Sequence, residues 1–174
     1  MERRVFGIGA IAALSLAGCG ASRGPSKFRR YNGPKVTSVV VNKGARKMYL
    51  MHDEKILREY KVDLGFAPNG DKKIEGDGKT PEGSYLIDRR NPNSSFHLSI
   101  GISYPNSRDI AEAKAIGKKP GGEIFIHGQP NLLRDLKRAR KTPDWTAGCI
   151  AVKNHEIEEI YAMVQDGTLI SLRP

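Results

Sequence analysis

The chain has 174 residues, of which 39% are hydrophobic and 28% charged. These proportions exclude a disordered or fibrous chain, and the length suits one domain with a real core. A formal charge of +10 directs the surface toward polyanions, whether nucleic acid, acidic lipid headgroups or an acidic polymer.

The N-terminus bears on the compartment. "MERR" supplies a positive start, "VFGIGAIAALSL" an apolar run too short to favour a spanning helix, and "LAGC" a small-residue cleavage site. Together they read as a secretory signal over residues 1–18. Leu16-Ala17-Gly18-Cys19 resembles a bacterial lipobox, which implies that Cys19 becomes a lipidated first residue. Gly20 after it fits outer-membrane sorting in a Gram-negative cell. The expected location is therefore the periplasmic side of the cell envelope, with membrane attachment through the N-terminal lipid. Export removes nucleic acid as a partner. If Cys19 is acylated it cannot pair with Cys149, the only other cysteine, which is left as a lone thiol. A Cys19–Cys149 disulfide and an inert buried thiol are the bland alternatives.

Residues 20–35, "GASRGPSKFRRYNGPK", have no apolar period and read as a tether, so 19–35 is expected to link lipid to domain. The domain follows over 36–173. "VTSVVVNKG" is a strand rich in β-branched residues, and "RKMYLMHDEKILREYKVDLG" a strand-turn-strand in which Met48 and Leu50 alternate with Tyr49 and Met51. A long loop punctuated by Gly and Pro occupies "FAPNGDKKIEGDGKTPEG". Further strands are expected at "SYLID", "FHLSIGIS", "GEIFIHG", "CIAV" and "TLISLR". Helices are expected at "SRDIAEAKAIG", at "NLLRDLKRARK" with Leu132, Leu133 and Leu136 on one side, and at "NHEIEEIYAMVQDG" with Asn154 as N-cap. The sum is a mainly β (α+β) domain with peripheral helices, a sandwich or partly closed barrel.

Two stretches carry possible chemistry. In "EIFIHGQPN", Phe125 and His127 share one face of a strand, and His127 stands at its end before Gly128. Such a histidine either faces a cleft, with the glycine letting a ligand approach, or is a hydrogen-bonded structural residue. In "DWTAGCIAV", Gly148 before Cys149 permits a tight turn that exposes the sulfur and frees backbone N–H groups. A thiol acts as a nucleophile only with a base or positive field nearby, and freed N–H groups can hold an oxyanion.

The segment from His127-Gly128 to Thr146-Ala147-Gly148-Cys149-Ile150 resembles the signature of the YkuD-type L,D-transpeptidase catalytic domain. Thr80, Pro81, Gly83 and Tyr85 are similar to that family's Thr-Pro-x-Gly-x-[Phe/Tyr] segment, and "FHLSIGISYPN" to the strand before the active site in a Gram-negative branch. The resemblance runs from Val36 to Arg173. It implies a cysteine acyltransferase of the bacterial cell wall that needs no cofactor. Cys149 matches the nucleophile, His127 the general base, and Gly148 with Cys149 the oxyanion donors. Thr146, Gly128, His97, Tyr104 and Trp145 are then the expected substrate contacts. Thr146 stands where the family usually has Ser. Ala151 departs from the Arg that many members carry, so the cation for a substrate carboxylate is sought at Arg108, Lys153 or Arg134. The implied reaction is attack of Cys149 on the L,D-bond of a peptidoglycan stem peptide, loss of the terminal D-residue, and transfer of the thioester to an amine of a second stem peptide or a lipoprotein. Water as acceptor makes the same site a carboxypeptidase or amidase. The Ala151 form resembles a branch containing hydrolases that detach lipoprotein from peptidoglycan.

Other classes compete. His97, His127, Cys149 and His155 are conceivable zinc ligands, but no HExxH or paired CxxC spacing supports a metal site. A non-catalytic envelope-binding module would use the basic helix 131–141, though charge runs are commonly a solvated face. His52 and His155 read as solvated, Trp145 as either cleft wall or core, and residues 105–122 as a mobile flap.

Overall fold

The computed structural model describes residues 26–174, so the signal segment and Cys19 lie outside the described residues. Eight strands form one sheet: β1 (Ser38–Asn42), β2 (Lys47–His52), β3 (Lys55–Lys61), β4 (Gly83–Asn91), β5 (Ser99–Ile102), β6 (Phe125–His127), β7 (Ile150–Ala151) and β8 (Leu169–Arg173). Their order is β3-β2-β1-β8-β4-β5-β6-β7, and the sheet curls into a half-barrel. The expected mainly β class is what forms.

Alternation makes the first half. In β1 Val39 and Val41 face inward, and in β2 Met48 and Leu50 do so, all fully buried. Antiparallel pairing sets Val39 opposite Leu50 and Val41 opposite Met48, while β8 runs parallel to β1 and brings in Ile170 and Leu172. The second half is attached by β4. Its first residues, Gly83 to Leu86, pair with β8, and its last, Ile87 to Asn91, pair with β5. An irregularity between Ile87 and Arg89 lies near the start of the pairing with β5, where a bulge adds the bend that curls a sheet.

Among the described residues three helices lie outside the sheet: α1 (Ser107–Ala115), α2 (Leu133–Ala139) and α3 (Asn154–Met163). α3 buries Ile157, Ile160 and Met163 and closes the core beside β5. Its Asn154 does not cap it. The Asn154 side chain instead accepts the Gln129 N–H at 2.8 Å, and the helix stops at Met163, before the expected Gly167. α2 is shorter than the 131–141 its leucines suggest, and Leu132 and Leu133 are exposed. Only Ala139 of α2 is buried. Leucine spacing marks a face but not what lies against it.

Two further expectations change. β5 starts at Ser99, not Phe96, because His97 adopts a left-handed backbone with φ 72°, which a strand does not accommodate. Residues 26–35, expected as a free tether, lie against the domain from Lys27 onward. Lys27 Nζ donates to the carbonyls of Pro92 and His97, at 2.6 and 3.2 Å. Phe28 packs against Tyr161, and Arg29 pairs with Glu158 at 2.9 Å.

Candidate active site

Register builds the floor of the site. Asn91, Ser99 and His127 are direct neighbours across β4, β5 and β6, and Arg89, Gly101 and Phe125 form the adjacent row. Residues two apart on a strand share a face, so both rows face the same way. Over them opens a cavity of about 320 Å³ lined by Asn91, Ser94, Ser95, Phe96, Ser99, Glu123, Phe125, His127 and Cys149. Cys149 enters it from the residue before β7, whose parallel pairing puts Ile150 beside Ile126 and Ala151 beside His127. The two residues singled out as nucleophile and base thus share one cavity.

His127 is buried among aromatic rings. Phe96 lies 4.5 Å and Trp145 5.6 Å from its ring centroid. Its Nδ1 stands 2.7 Å from the Gly128 carbonyl. A carbonyl oxygen only accepts, so Nδ1 carries the proton and Nε2 keeps its lone pair. Burial lowers the imidazole pKa to about 4 against the opposing pull of that carbonyl. The ring is neutral at pH 7 and has one basic nitrogen free.

Cys149 is the free thiol among the described residues. Its Sγ donates to the Glu123 carbonyl at 3.4 Å. Burial pushes the thiol pKa up, the Phe125 N–H draws it down, and the Glu123 charge raises it further. The resting pair is thiol and neutral imidazole.

The turn that presents Cys149 is braced from several sides. Thr146 is buried, donates its hydroxyl to the Cys149 carbonyl at 2.7 Å and accepts the Gly148 N–H at 3.1 Å. Gly148 has φ +137°, and a Cβ there would stand 2.7 Å from the Lys79 carbonyl, so only glycine fits. Asp144 anchors the start of the turn: Arg46 Nη2 pairs with it at 2.8 Å and the Leu64 N–H donates to it at 3.0 Å. On the other side Thr80 Oγ1 accepts the Gly65 N–H at 3.0 Å. Lys43, only 2% exposed, holds this loop through the carbonyls of Gly70 and Thr80 and the Glu82 carboxylate, at 2.7 to 2.8 Å.

These contacts revise several expectations. Thr146 spends its hydroxyl on the turn and does not line the cavity. Gly148 spends its N–H on Thr146, so it is not a free oxyanion donor. Gly128 is needed for packing, since a Cβ would stand 2.7 Å from Asn154 Oδ1 and 2.9 Å from the Phe96 carbonyl, and it does not line the Cys149 cavity. His97 points its Nε2 at Glu158, at 2.8 Å, and is not a lining residue of the Cys149 cavity. Tyr104 is buried, donates to the Pro120 carbonyl at 3.0 Å and packs edge-on to Tyr85. It secures the segment after β5 and lies away from the cavity lining. Trp145 is half-buried, packs edge-on to His127 and does not line the Cys149 cavity.

The cations nominated for a substrate carboxylate lie elsewhere. Arg108 pairs with Glu112 on α1, and Arg134 with Asp135 on α2. Lys153 lines a different and larger cavity, about 630 Å³, together with Arg140 and Lys141. Sequence reasoning missed Lys43, Asp144, Arg89 and Glu123. Asp144 before Trp145 carried a turn signal, whereas nothing local marks the others.

Comparison with known proteins agrees with the fold. The family model of the YkuD L,D-transpeptidase catalytic domain matches residues 37–172. The Escherichia coli K12 protein named "Putative L,D-transpeptidase YafK" is 30% identical over 121 residues, which cover 68% of this chain and 41% of that one. Among solved structures, the K307A mutant of the helical cell shape determining protein Pgp2 from Campylobacter jejuni superposes with a TM-score of 0.59. It is 32% identical over 82% of this chain and 48% of that one. Bd1075 of Bdellovibrio bacteriovorus follows at 0.53 and 27% identity, over 79% and 47%. The chain thus spans under half the length of each of these relatives. A family match across almost the whole folded part, on a half-barrel with a cysteine and a histidine in one cavity, places the chain in the YkuD family of L,D-transpeptidase catalytic domains.

Proposed function

We propose that this chain is a peptidoglycan-modifying cysteine acyltransferase that acts on the L,D-bonds of stem peptides. One observation carries the reading: His127 holds its Nδ1 proton on the Gly128 carbonyl and keeps Nε2 basic in the cavity that contains Cys149. His127 takes the thiol proton as Sγ attacks the carbonyl carbon of the stem peptide. The tetrahedral oxyanion collapses, the terminal D-residue leaves with that proton on its amine, and a thioester remains on Cys149. An incoming amine then attacks the thioester, and His127 takes a proton from that amine and delivers it to sulfur as the thiolate leaves. With Gly148 committed to Thr146, the backbone N–H of Cys149 itself is the remaining oxyanion donor of the expected pair.

Water in the amine's place makes the same cavity an L,D-carboxypeptidase, or an amidase cutting a lipoprotein from peptidoglycan. Ala151 favours keeping this second reading. It is fully buried beside His127 and supplies no cation two residues after the nucleophile. We further propose attachment to the cell envelope through a lipid on Cys19, with peptidoglycan and a peptidoglycan-bound lipoprotein as partners.

The test is to incubate the purified protein with muropeptides and read the products by mass. New cross-links mark transfer to an amine, and loss of a D-residue or of bound lipoprotein marks transfer to water. A covalent adduct on wild type that is absent from Cys149→Ala is the expected intermediate. Full activity in Cys149→Ala would refute the thioester.

A further inference from the structure

The row Arg89–Gly101–Phe125 has an unusual middle. A Cβ at Gly101 would lie 2.4 Å from Arg89 Cγ and 2.8 Å from its Nε. The missing side chain opens a lane across β5, and the arginine lies in it. Its guanidinium carbon reaches 4.5 Å from the centroid of the Phe125 ring on β6, and Phe125 lines the Cys149 cavity. A residue of β4 is thereby delivered two strands over, to the rim of the site.

The guanidinium is held but not used up. Nη1 donates to its neighbour Asp88, at 3.1 and 2.9 Å. Nη2 faces Glu123 Oε1 at 3.6 Å, and the Glu123 side chain is 84% exposed. Such a long, solvated pair is worth little. Stacking on Phe125 keeps the fork flat and oriented, and the Nε–Nη2 edge is the one that suits a carboxylate in two-point contact. Neighbouring cations are committed elsewhere. Lys72 is buried on Asp77 and the Ile74 carbonyl, while Arg90 turns to the Tyr161 ring and the Val164 carbonyl.

We propose that Arg89 is a specificity-determining residue that binds a carboxylate of an acidic peptide substrate in exchange for Glu123, doing the work for which Ala151 has no side chain. This rests on the acyl-transfer reading only for the identity of the peptide. Asp88 leaves one edge of the guanidinium neutralised, so the contact is directional: a carboxylate must come from the cavity side.

The experiment compares a tetrapeptide muropeptide carrying its free carboxylates with the same peptide fully amidated, using the full chain in mild detergent. Arg89→Gln should raise KM for the acid about 10- to 100-fold, the range of a charge-assisted contact, with kcat within about 3-fold. KM for the amide should stay unchanged, and Arg89→Lys should recover only part of the loss for the acid. Binding of both peptides to Cys149→Ala, with and without Arg89→Gln, is measured by calorimetry. Equal losses for acid and amide, in KM or in affinity, would overturn the proposal and leave Arg89 a structural residue. If wild type turns over neither peptide, acyl transfer fails, yet the calorimetry still decides: an acid preference that vanishes with Arg89→Gln upholds the carboxylate site, and no preference refutes it.

Discussion

On the acyl-transfer reading, a cysteine whose thiol is disfavoured from ionising needs a base that stays unprotonated, and the neutral imidazole of His127 suits that role. Ion-paired thiolate and imidazolium would place two charges in a space enclosed by Phe96 and Trp145, where burial penalises both. Burial instead sets the imidazole pKa near 4 and pushes the thiol up. The pH dependence follows with a definite sign. The base works when neutral, so the acid limb of kcat/KM should lie near pH 4, not at the 6.5 of an ordinary histidine. Stability moves with it. The folded state binds its His127 proton less readily than the unfolded chain, so this contribution is complete above about pH 6.5 and is lost as pH falls toward 4, about 3 kcal/mol in all. A pH–rate profile for wild type, and denaturant midpoints for wild type and His127→Gln at pH 4.5 and 7, check both. An acid limb at 6.5, or a variant with the same pH dependence of stability as wild type, would show that the imidazole is solvated and freely protonated.

Among the elements, the loop between β3 and β4 has the most to do with the site and the least secondary structure. Thr80 holds Gly65, which bridges to Thr146, and the Lys79 carbonyl stands against Gly148, while Lys43, just past β1, holds the Thr80 carbonyl. Removing that ammonium leaves two carbonyls and the Glu82 carboxylate without their donor. Lys43→Met should therefore cost about 2–3 kcal/mol in denaturant unfolding, speed amide exchange in residues 66–82, and lower kcat/KM through misplacement of Cys149. An unchanged midpoint would mean that water replaces the lysine at no cost. This tie also shows what a sequence carries and what it does not. β1, β2 and β8 are legible because β-branched and alternating residues act locally, whereas Cys149 and His127 stand out through the motif that resembles the family's signature, their adjacent glycines alone leaving both readings open. Lys43 looked like any surface cation, since its partners lie 27 to 39 residues away. Arg89 was hidden for the same reason: its role depends on an absent side chain on one strand and a ring on another. Thr146 was legible as a family position, but whether its hydroxyl meets substrate or its own turn is settled only by three-dimensional distances.

Across the whole molecule, the N-terminal segment and the cavity share a mechanical connection. Lys27 holds the carbonyls of Pro92 and His97, and Arg29 and His97 meet on the same Glu158 of α3. The segment they grip, from the end of β4 through residue 98, gives Asn91, Ser94, Ser95 and Phe96 to the wall of the Cys149 cavity. Each of these ties is partly exposed and individually weak, so the segment resembles a clasp more than a structural strut. Local opening of such a loop is governed by the sum of its few ties, and not by global stability. Replacing both Lys27 and Glu158 by Ala should leave the denaturation midpoint within about 1 kcal/mol of wild type. Amide exchange in 91–98 should nevertheless rise roughly 3- to 10-fold, the equivalent of losing two or three surface pairs. KM should rise with kcat little changed, because Phe96 and the two serines bound the space for substrate while His127 and Cys149 are held by β6 and the Thr146 turn. Exchange and KM both matching wild type would show that the loop is rigid by its own Asn131 and Ser94 hydrogen bonds, and that the N-terminal segment only rests on it.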